Sequence, residues 1–482
     1  MIQKKFVLMW LVVLSLTASF KAQTGDSPAL PDTIAGKRVA AYIKAFNSGD
    51  EQAIRQFFTE NVSAAALEQR PVDVRVGIYK QMRGNLGALQ LRRVTKASDS
   101  SITVHLQTTK GGLVEIGFEF EPQPPHRFLG LHVEDVESRQ DVPEDKSPDS
   151  LTEAQVLALI ESRLNELAAA DEFSGAVLLA KNDKPIFQKA CGLASKEYNV
   201  PNRIDTKFNL GSINKTFTQM AIGQLVEQGK LSFDDKLGRH LPDYPNRDAA
   251  EKVTIRHLLD MSSGIGDFFG PQFEASLKSQ FRTLKDFLPL FASQPLRFEP
   301  GTKHQYSNGG YIVLGAIIEK VSGQDYYDYV REHIFKPAGM QNADWYESDK
   351  PTMNMASGYT REGAAAGSRL NNIYTRPARG TSAGGGYATA EDLLKYSIAL
   401  QTGKLRILNF REPAGAAKQP SPGGKGTSFG GLGIAGGAPG INAVLEVKSA
   451  GGYTLVVMSN YDPPSAEQVA KQIRGWLAKI KN

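Results

Sequence analysis

Two strand-like hairpins at opposite ends of a long segment constrain this chain most. The first runs "GAVLLA" (175–180), the turn "KNDK", then "PIFQKACG"; the second runs "INAVLEV" (441–447), the turn "KSAGG", then "YTLVVMSN". A lone two-stranded ribbon is barely stable in water, so two apolar hairpins in one unit are expected to share an antiparallel sheet. Each is flanked by an amphipathic helix. Thr152 with Gln155 reads as a capping box before Val156, Ile160, Leu164 and Leu167 on one face. Ser465 with Gln468 repeats the signal before Val469, Ile473, Leu477 and Ile480. Between about 205 and 400 the pattern is mostly helical, with Gly/Pro-rich loops. Residues 151–482 are therefore expected to form one α+β unit.

A second, smaller α+β unit is expected over 31–135. Val39, Ile43 and Phe46 have helical spacing and Gly49 stops that helix; "ITVHL", "VEIGFEF" and "LGLHV" each alternate apolar with polar residues. Helices followed by a sheet in this order resemble the NTF2-like fold, a curved sheet wrapping helices. Residues 136–150 are polar, Pro-containing and aperiodic, which is a linker and makes the chain multi-domain.

The beginning of the chain reads as an export signal over 1–22. Lys4 and Lys5 precede the apolar run Phe6–Leu16, too short to span a bilayer, and Ala18 or Ala22 offers a small residue for cleavage. The alternative is an uncleaved anchor helix. The expected location is exported, periplasmic or extracellular, with no integral membrane association after signal cleavage. Cys191 is the only cysteine, so no internal disulfide can form and stability must come from the core. Its alternating, strand-like surroundings argue for a structural thiol. The 56 basic and 51 acidic residues are interspersed, leaving no basic stripe and no nucleic acid partner to expect. With no His/Cys cluster, neither metal nor cofactor is expected.

Chemistry is suggested by "FNLGSINKTFTQMAI" (208–222), where Ser212 and Lys215 lie three apart at the start of a helix and so share a face. Phe217, Met220 and Leu225 bury that helix. Burial lowers a lysine's pKa, and a neutral amine can take a proton from a neighbouring hydroxyl. The N–H of Ser212 is free to meet an oxyanion. The bland alternative, a helix cap followed by a surface lysine, is met by a second motif. "YSN", Tyr306-Ser307-Asn308, supplies a phenol that can relay a proton and an amide, Asn308, that can hold Lys215 and a substrate carbonyl. Two other motifs fail on context. "GTSAG" around Ser382 has no histidine after it, and "GLGIAG" (431–436) is followed by Pro439-Gly440 where a helix is required.

Four blocks in order carry a family resemblance: "FNLGSINKTFTQMAIGQLVEQGKLSFDDKL", "VTIRHLLDMSSGIGDF", "FEPGTKHQYSNGGYIVLGAIIEKVSG" and "TSAGGGYATAEDLLKYS". Together they resemble the serine β-lactamase-related hydrolases, a group of class C β-lactamases, D,D-peptidases and esterases. The resemblance implies a β-lactamase/transpeptidase-like fold over 151–482, with an acyl-enzyme on Ser212 and proton handling by Lys215 and Tyr306. It also implies contacts from Asn308, Gly436 and Gly437 to the substrate or its oxyanion. One element departs. Where relatives carry Lys-Thr-Gly, His-x-Gly or "GHGGGAPG", this chain reads "GIAGGAPG", with Ile434 in place of the basic residue. Lys425-Gly426-Thr427 has the wrong order to replace it. The expected activity is hydrolysis of an ester or amide lacking a free carboxylate, with weak or no β-lactamase action. The substrate would be a small-molecule ester or amide, or a cell-wall peptide. The alternatives are a catalytically inactive, penicillin-binding-like module and a D-aminopeptidase or D,D-peptidase type of enzyme.

Overall fold

The computed structural model describes residues 29–69, 71–98, 100–109, 113–121, 123–135, 147–148, 150–365, 367–410, 432–449 and 451–480. The expected export signal, most of the expected linker and Lys425–Thr427 lie outside the described residues. The chain divides into two compact units between Val142 and Pro143.

Among its described residues the first unit has four helices, α1 (Ile34–Ser48), α2 (Glu51–Asn61), α3 (Ala64–Gln69) and α4 (Val72–Leu86). They are followed by an antiparallel meander, β1 (Leu89–Ala97), β2 (Ser101–Thr108), β3 (Leu113–Phe120) and β4 (Phe128–Asp135). Thr33 caps α1 and Gly49, at φ 73°, ends it in the left-handed conformation that glycine adopts without a steric cost. The core is aromatic: the Tyr42 ring lies 5.4 Å from those of both Phe57 and Phe118. Strand β1 escaped the sequence pattern. Register shifts between Leu91 and Arg93 and between Val94 and Lys96 interrupt its alternation.

In the second unit, α5 (Glu153–Ala169) begins at the expected Thr152–Gln155 capping box and buries Val156, Ile160, Leu164 and Leu167. The two hairpins do share one sheet. It contains β5 (Gly175–Lys181), β6 (Lys184–Cys191), β7 (Leu432–Ala438), β8 (Ile441–Ser449) and β9 (Tyr453–Ser459), in the order β7-β8-β9-β5-β6. The seam between the two hairpins pairs Val456 with Leu178 and Met458 with Ala176. Asn182 and Asp183 both take positive φ in the β5–β6 turn, the geometry a two-residue hairpin needs. The final helix, Ser465–Leu477, packs with α5 on one face of the sheet through Val469, Ile473 and Trp476. Its predicted cap is corrected: Pro464 is the capping residue, the Ser465 hydroxyl lies 3.0 Å from Ser459 Oγ, and Asn442 Oδ1 accepts from Ala466 N–H instead. The opposite face of the sheet carries the larger core and the mainly helical middle of the chain, where α6 (Asn214–Glu227) and α7 (Asn308–Ser322) pack side by side. Among the described residues no helix is long and apolar enough to cross a membrane, and no cluster of ligating side chains could hold a metal ion.

Candidate active site

Ser212 sits on a tight 3-10 turn, Gly211–Ile213, that leads directly into α6. Helix α6 is buried on nearly every side, with Phe217, Met220, Ala221, Ile222 and Leu225 fully buried. Lys215 rides inward with them and is only 6% exposed. The surface-lysine alternative is therefore excluded. Three oxygens surround its amine: Ala383 O at 2.5 Å, Asn308 Oδ1 at 2.7 Å and Ser212 Oγ at 3.2 Å. Burial among neutral groups drives the Lys215 pKa down to about 7, opposed in part by the negative charge of Asp267.

The "YSN" motif divides its labour along the chain. Ser307 is the N-cap of α7: its hydroxyl accepts from Gly310 N–H at 2.9 Å and donates to Gly266 O at 2.8 Å. The flanking residues are thereby aimed at the site. The Tyr306 hydroxyl makes a short hydrogen bond with Ser212 Oγ, and its ring centroid lies 4.7 Å from the Lys215 ammonium nitrogen. Protein packed around the Tyr306 phenol pushes its pKa up; the bond to Ser212 works against this and the Asp267 charge adds to it. The phenol thus stays protonated at neutral pH.

Asp267 was not singled out in the sequence, although it stands in the quoted block "SSGIGDF". Its Oδ2 accepts from both Asn308 N–H (3.0 Å) and Asn308 Nδ2 (2.9 Å). A carboxylate only accepts, so the amide must turn its nitrogen to Asp267 and its oxygen to Lys215. Ala383 was equally invisible, because what it contributes is a main-chain carbonyl.

On the other side of Ser212 lies β7, an edge strand. The two-residue turn Pro439–Gly440 makes Ala438 and Ile441 a hydrogen-bonded pair, so Gly437 and Asn442 are a non-hydrogen-bonded pair. The Gly437 N–H therefore points off the open edge, toward the turn that carries Ser212. The expected role of Gly436 is corrected. Its N–H faces β8, and what it provides is space: a Cβ there would lie 2.1 Å from Leu210 O and 2.6 Å from Ser212 N. Gly211, at φ 50°, completes the close approach, since a Cβ on it would lie 2.8 Å from Gly437 N. Ile434 is also placed differently from expectation. It packs half-buried against the larger core and does not line the cleft, to which β7 contributes Gly437 and Ala438.

The cleft itself is a cavity of about 640 Å³ beside Ser212, with Phe268, Phe269, Phe273, Tyr374 and Ile441 in its walls. Neither rejected motif supplies the chemistry its pattern would imply, although Ala383 of the first lends its carbonyl to Lys215. Ser382 is fully buried and its hydroxyl donates to Tyr311 O at 2.8 Å; "GLGIAG" runs into strand β7. Cys191 lies on β6, where burial raises its thiol pKa to about 11 and keeps it protonated.

Known proteins share this arrangement of elements. A penicillin-binding protein from Bacillus halodurans superposes with a TM-score of 0.56 at 32% identity, over 65% of this chain and 99% of that one. Over 297 residues the chain is 31% identical to a protein of Bacillus subtilis (strain 168) named as a penicillin-binding protein, PbpX, covering 59% of this chain and 70% of that one. Esterase EstB of Burkholderia gladioli is 32% identical over 213 residues, 42% of this chain and 54% of the esterase. The family model described as Beta-lactamase matches residues 160–478, and with it the sheet, the second half of α5, the final helix and every residue of the site: the chain belongs to the Beta-lactamase family.

Proposed function

We propose that the protein is an exported serine hydrolase that cleaves an ester or amide through an acyl-enzyme on Ser212. The observation that carries this reading is the set of three oxygens around Lys215. A neutral amine has two N–H groups and one lone pair. Asn308 Oδ1 and Ala383 O are acceptors only, so they take both N–H groups, and the lone pair is left for the Ser212 hydroxyl. With a pKa held near 7, the amine is substantially neutral at working pH and basic enough to accept that proton.

As Ser212 Oγ bonds to the substrate carbonyl carbon, its proton passes to Lys215. The carbonyl oxygen, now negative, is met by the N–H groups of Ser212 and Gly437, each such donor being worth about 3 kcal/mol in the transition state. Tyr306 donates its phenolic proton to the departing oxygen or nitrogen and recovers one from Lys215. The bond to the leaving group breaks and the acyl-enzyme remains. Water then adds to the ester, gives its proton to the same pair of bases, and releases the acid with Ser212 restored.

Strand β7 presents only small residues and backbone to the cleft, with no cation of its own, so any grip on a substrate carboxylate must come from outside the strand. The apolar run Phe6–Leu16 behind Lys4 and Lys5, read as an export signal, supports a periplasmic or extracellular site of action. The complete set Ser212, Lys215, Tyr306 and Asn308, already in contact, favours an enzyme over a purely binding relative. Labelling with a fluorophosphonate tests this directly: intact mass should show one adduct, mapped to Ser212 and absent from Ser212→Ala. No adduct, or one on Ser263 or Ser382, overturns the assignment.

A further inference from the structure

The cleft holds a cation that the mechanism does not use. Among the described residues, four charged ones line it. Glu274 and Glu362 are exposed. Lys278 is committed to the backbone, donating to Phe273 O (2.7 Å), Glu274 O (3.0 Å) and Ser276 O (2.9 Å). Arg376 is different. It is half-buried, its Nε is buried with no hydrogen-bond partner, and among the described residues its guanidinium meets no carboxylate; its charge lies 5.9 Å from the Tyr387 ring.

Its position is set by backbone, not by chance packing. Arg376 N–H donates to Asn372 O at 3.3 Å, and Asn372 Nδ2 donates to Pro439 O at 2.9 Å, in the hairpin turn just past Gly437. Beyond Arg376 the chain is tied by Ala378 N–H to Lys278 O at 3.0 Å and continues to Ala383, whose carbonyl holds Lys215. Tyr387 pairs with Asn209, which precedes the Ser212 turn. The segment carrying Arg376 is therefore fastened to both the oxyanion strand and the nucleophile.

A guanidinium is a planar fork of donors that matches a carboxylate in two parallel bonds, and apolar surroundings strengthen such a pair. One left unpaired in the lining of a cleft walled by Phe268, Phe269 and Tyr374 lacks its natural complement. We propose that Arg376 is the anion-recognition residue of this cleft, and that the substrate is an ester or amide with an aromatic or bulky aliphatic body and one carboxylate. The proposal rests on Ser212 as the acylated residue, since that places the scissile bond in the same cavity. It revises the expectation of an uncharged substrate drawn from Ile434: the charge missing from strand β7 is supplied by the loop facing its turn.

The test compares two phenylacetyl esters whose leaving groups are phenol and 3-hydroxybenzoate. The ratio of their kcat/KM values, carboxylated over neutral, is expected to fall about tenfold or more from wild type to Arg376→Gln, with Arg376→Lys between them because it keeps the charge and loses the fork. Comparing the ratio between proteins removes intrinsic leaving-group reactivity and any general loss of activity. An unchanged ratio in Arg376→Gln overturns the proposal. A binding measurement separates this from failure of the serine mechanism. Titration of 3-(phenylacetoxy)benzoate into Ser212→Ala is expected to show binding that weakens about tenfold or more on adding Arg376→Gln. If wild type hydrolyses neither ester but that difference is seen, the anion site stands and the acyl-enzyme reading falls; equal binding overturns the anion site whatever the turnover.

Discussion

The two walls that meet at Ser212 are built in opposite ways. The helical wall works with side chains: Lys215, Tyr306, Asn308 and Asp267 form a chain of polar contacts in which each partner fixes the protonation or orientation of the next. The strand wall works with the absence of side chains. Gly436 and Gly437 let β7 approach the Ser212 turn closely enough for a main-chain N–H to face it, where the proposed mechanism places the oxyanion. Moving a proton takes a titratable group whose pKa can be tuned by burial. Stabilising a developing charge takes a fixed dipole, and backbone supplies that without rotamer entropy. A substitution on either wall should therefore fail in a recognisably different manner.

The largest effect is expected at the junction of the two walls. Ser212→Ala removes the nucleophile and should lower kcat/KM for a p-nitrophenyl ester on the order of 10⁴-fold or more, with the fold intact by circular dichroism. Appreciable residual turnover through a covalent intermediate would mean that the walls serve another serine.

On the strand wall, Gly436→Ala should lower kcat by about 10² to 10³-fold, the range for loss of an oxyanion donor. Its Cβ can be accommodated only by separating β7 from Leu210 and Ser212. Fluorophosphonate labelling should slow as well, while the pH at which activity reaches half its maximum stays where it was. A shifted pH profile would show that the strand also tunes the base.

The helical wall predicts the reverse pattern. Asp267→Asn frees the Asn308 amide to turn over and should lower kcat by about 10²-fold through misplacement of Lys215. It should also move the acid limb of the pH–rate profile. Lys215 acts when neutral, so activity rises as pH passes its pKa near 7. The Asp267 charge raises that pKa, so removing it lowers the pKa and shifts the limb to lower pH. A limb that stays in place would remove Asp267 from the electrostatics of the base.

The smallest effect is expected from removing the first unit altogether. Both walls lie within residues 143–482, and the first unit has its own aromatic core. A chain beginning at 143 should keep kcat/KM for a short ester unchanged. Loss of activity in a folded truncation would mean that the two-wall account of the site is incomplete.

Local rules made much of this protein legible. The capping box at Thr152–Gln155, the turn at 181–184 and the apolar runs of both hairpins each depend on neighbours a few residues apart, and each stands in the structure as read. The Ser212–Lys215 spacing is a helical property, and the "YSN" motif carries its own cap, so these residues could be found without knowing what they would touch. Strand β1 could not be found, because two register shifts spoil the alternation by which a strand is recognised.

What only tertiary structure decided was which groups would meet across the chain. Asp267, Ala383 and Arg376 come from loops with no periodicity, and two of them matter through a single hydrogen-bonding orientation or a main-chain carbonyl, which residue identity does not encode. The functions of Gly436 and Gly437 are exchanged by one step of strand register: the same two glycines become spacer and donor according to which edge of β7 faces β8. Ile434 reads from sequence as a lost cation at the site, yet its side chain completes the core, and an unpaired guanidinium stands elsewhere in the cleft. Spacing along a helix is fixed by 1.5 Å per residue; proximity between a strand edge, a helix cap and two loops is fixed only when all of them are packed on the same sheet.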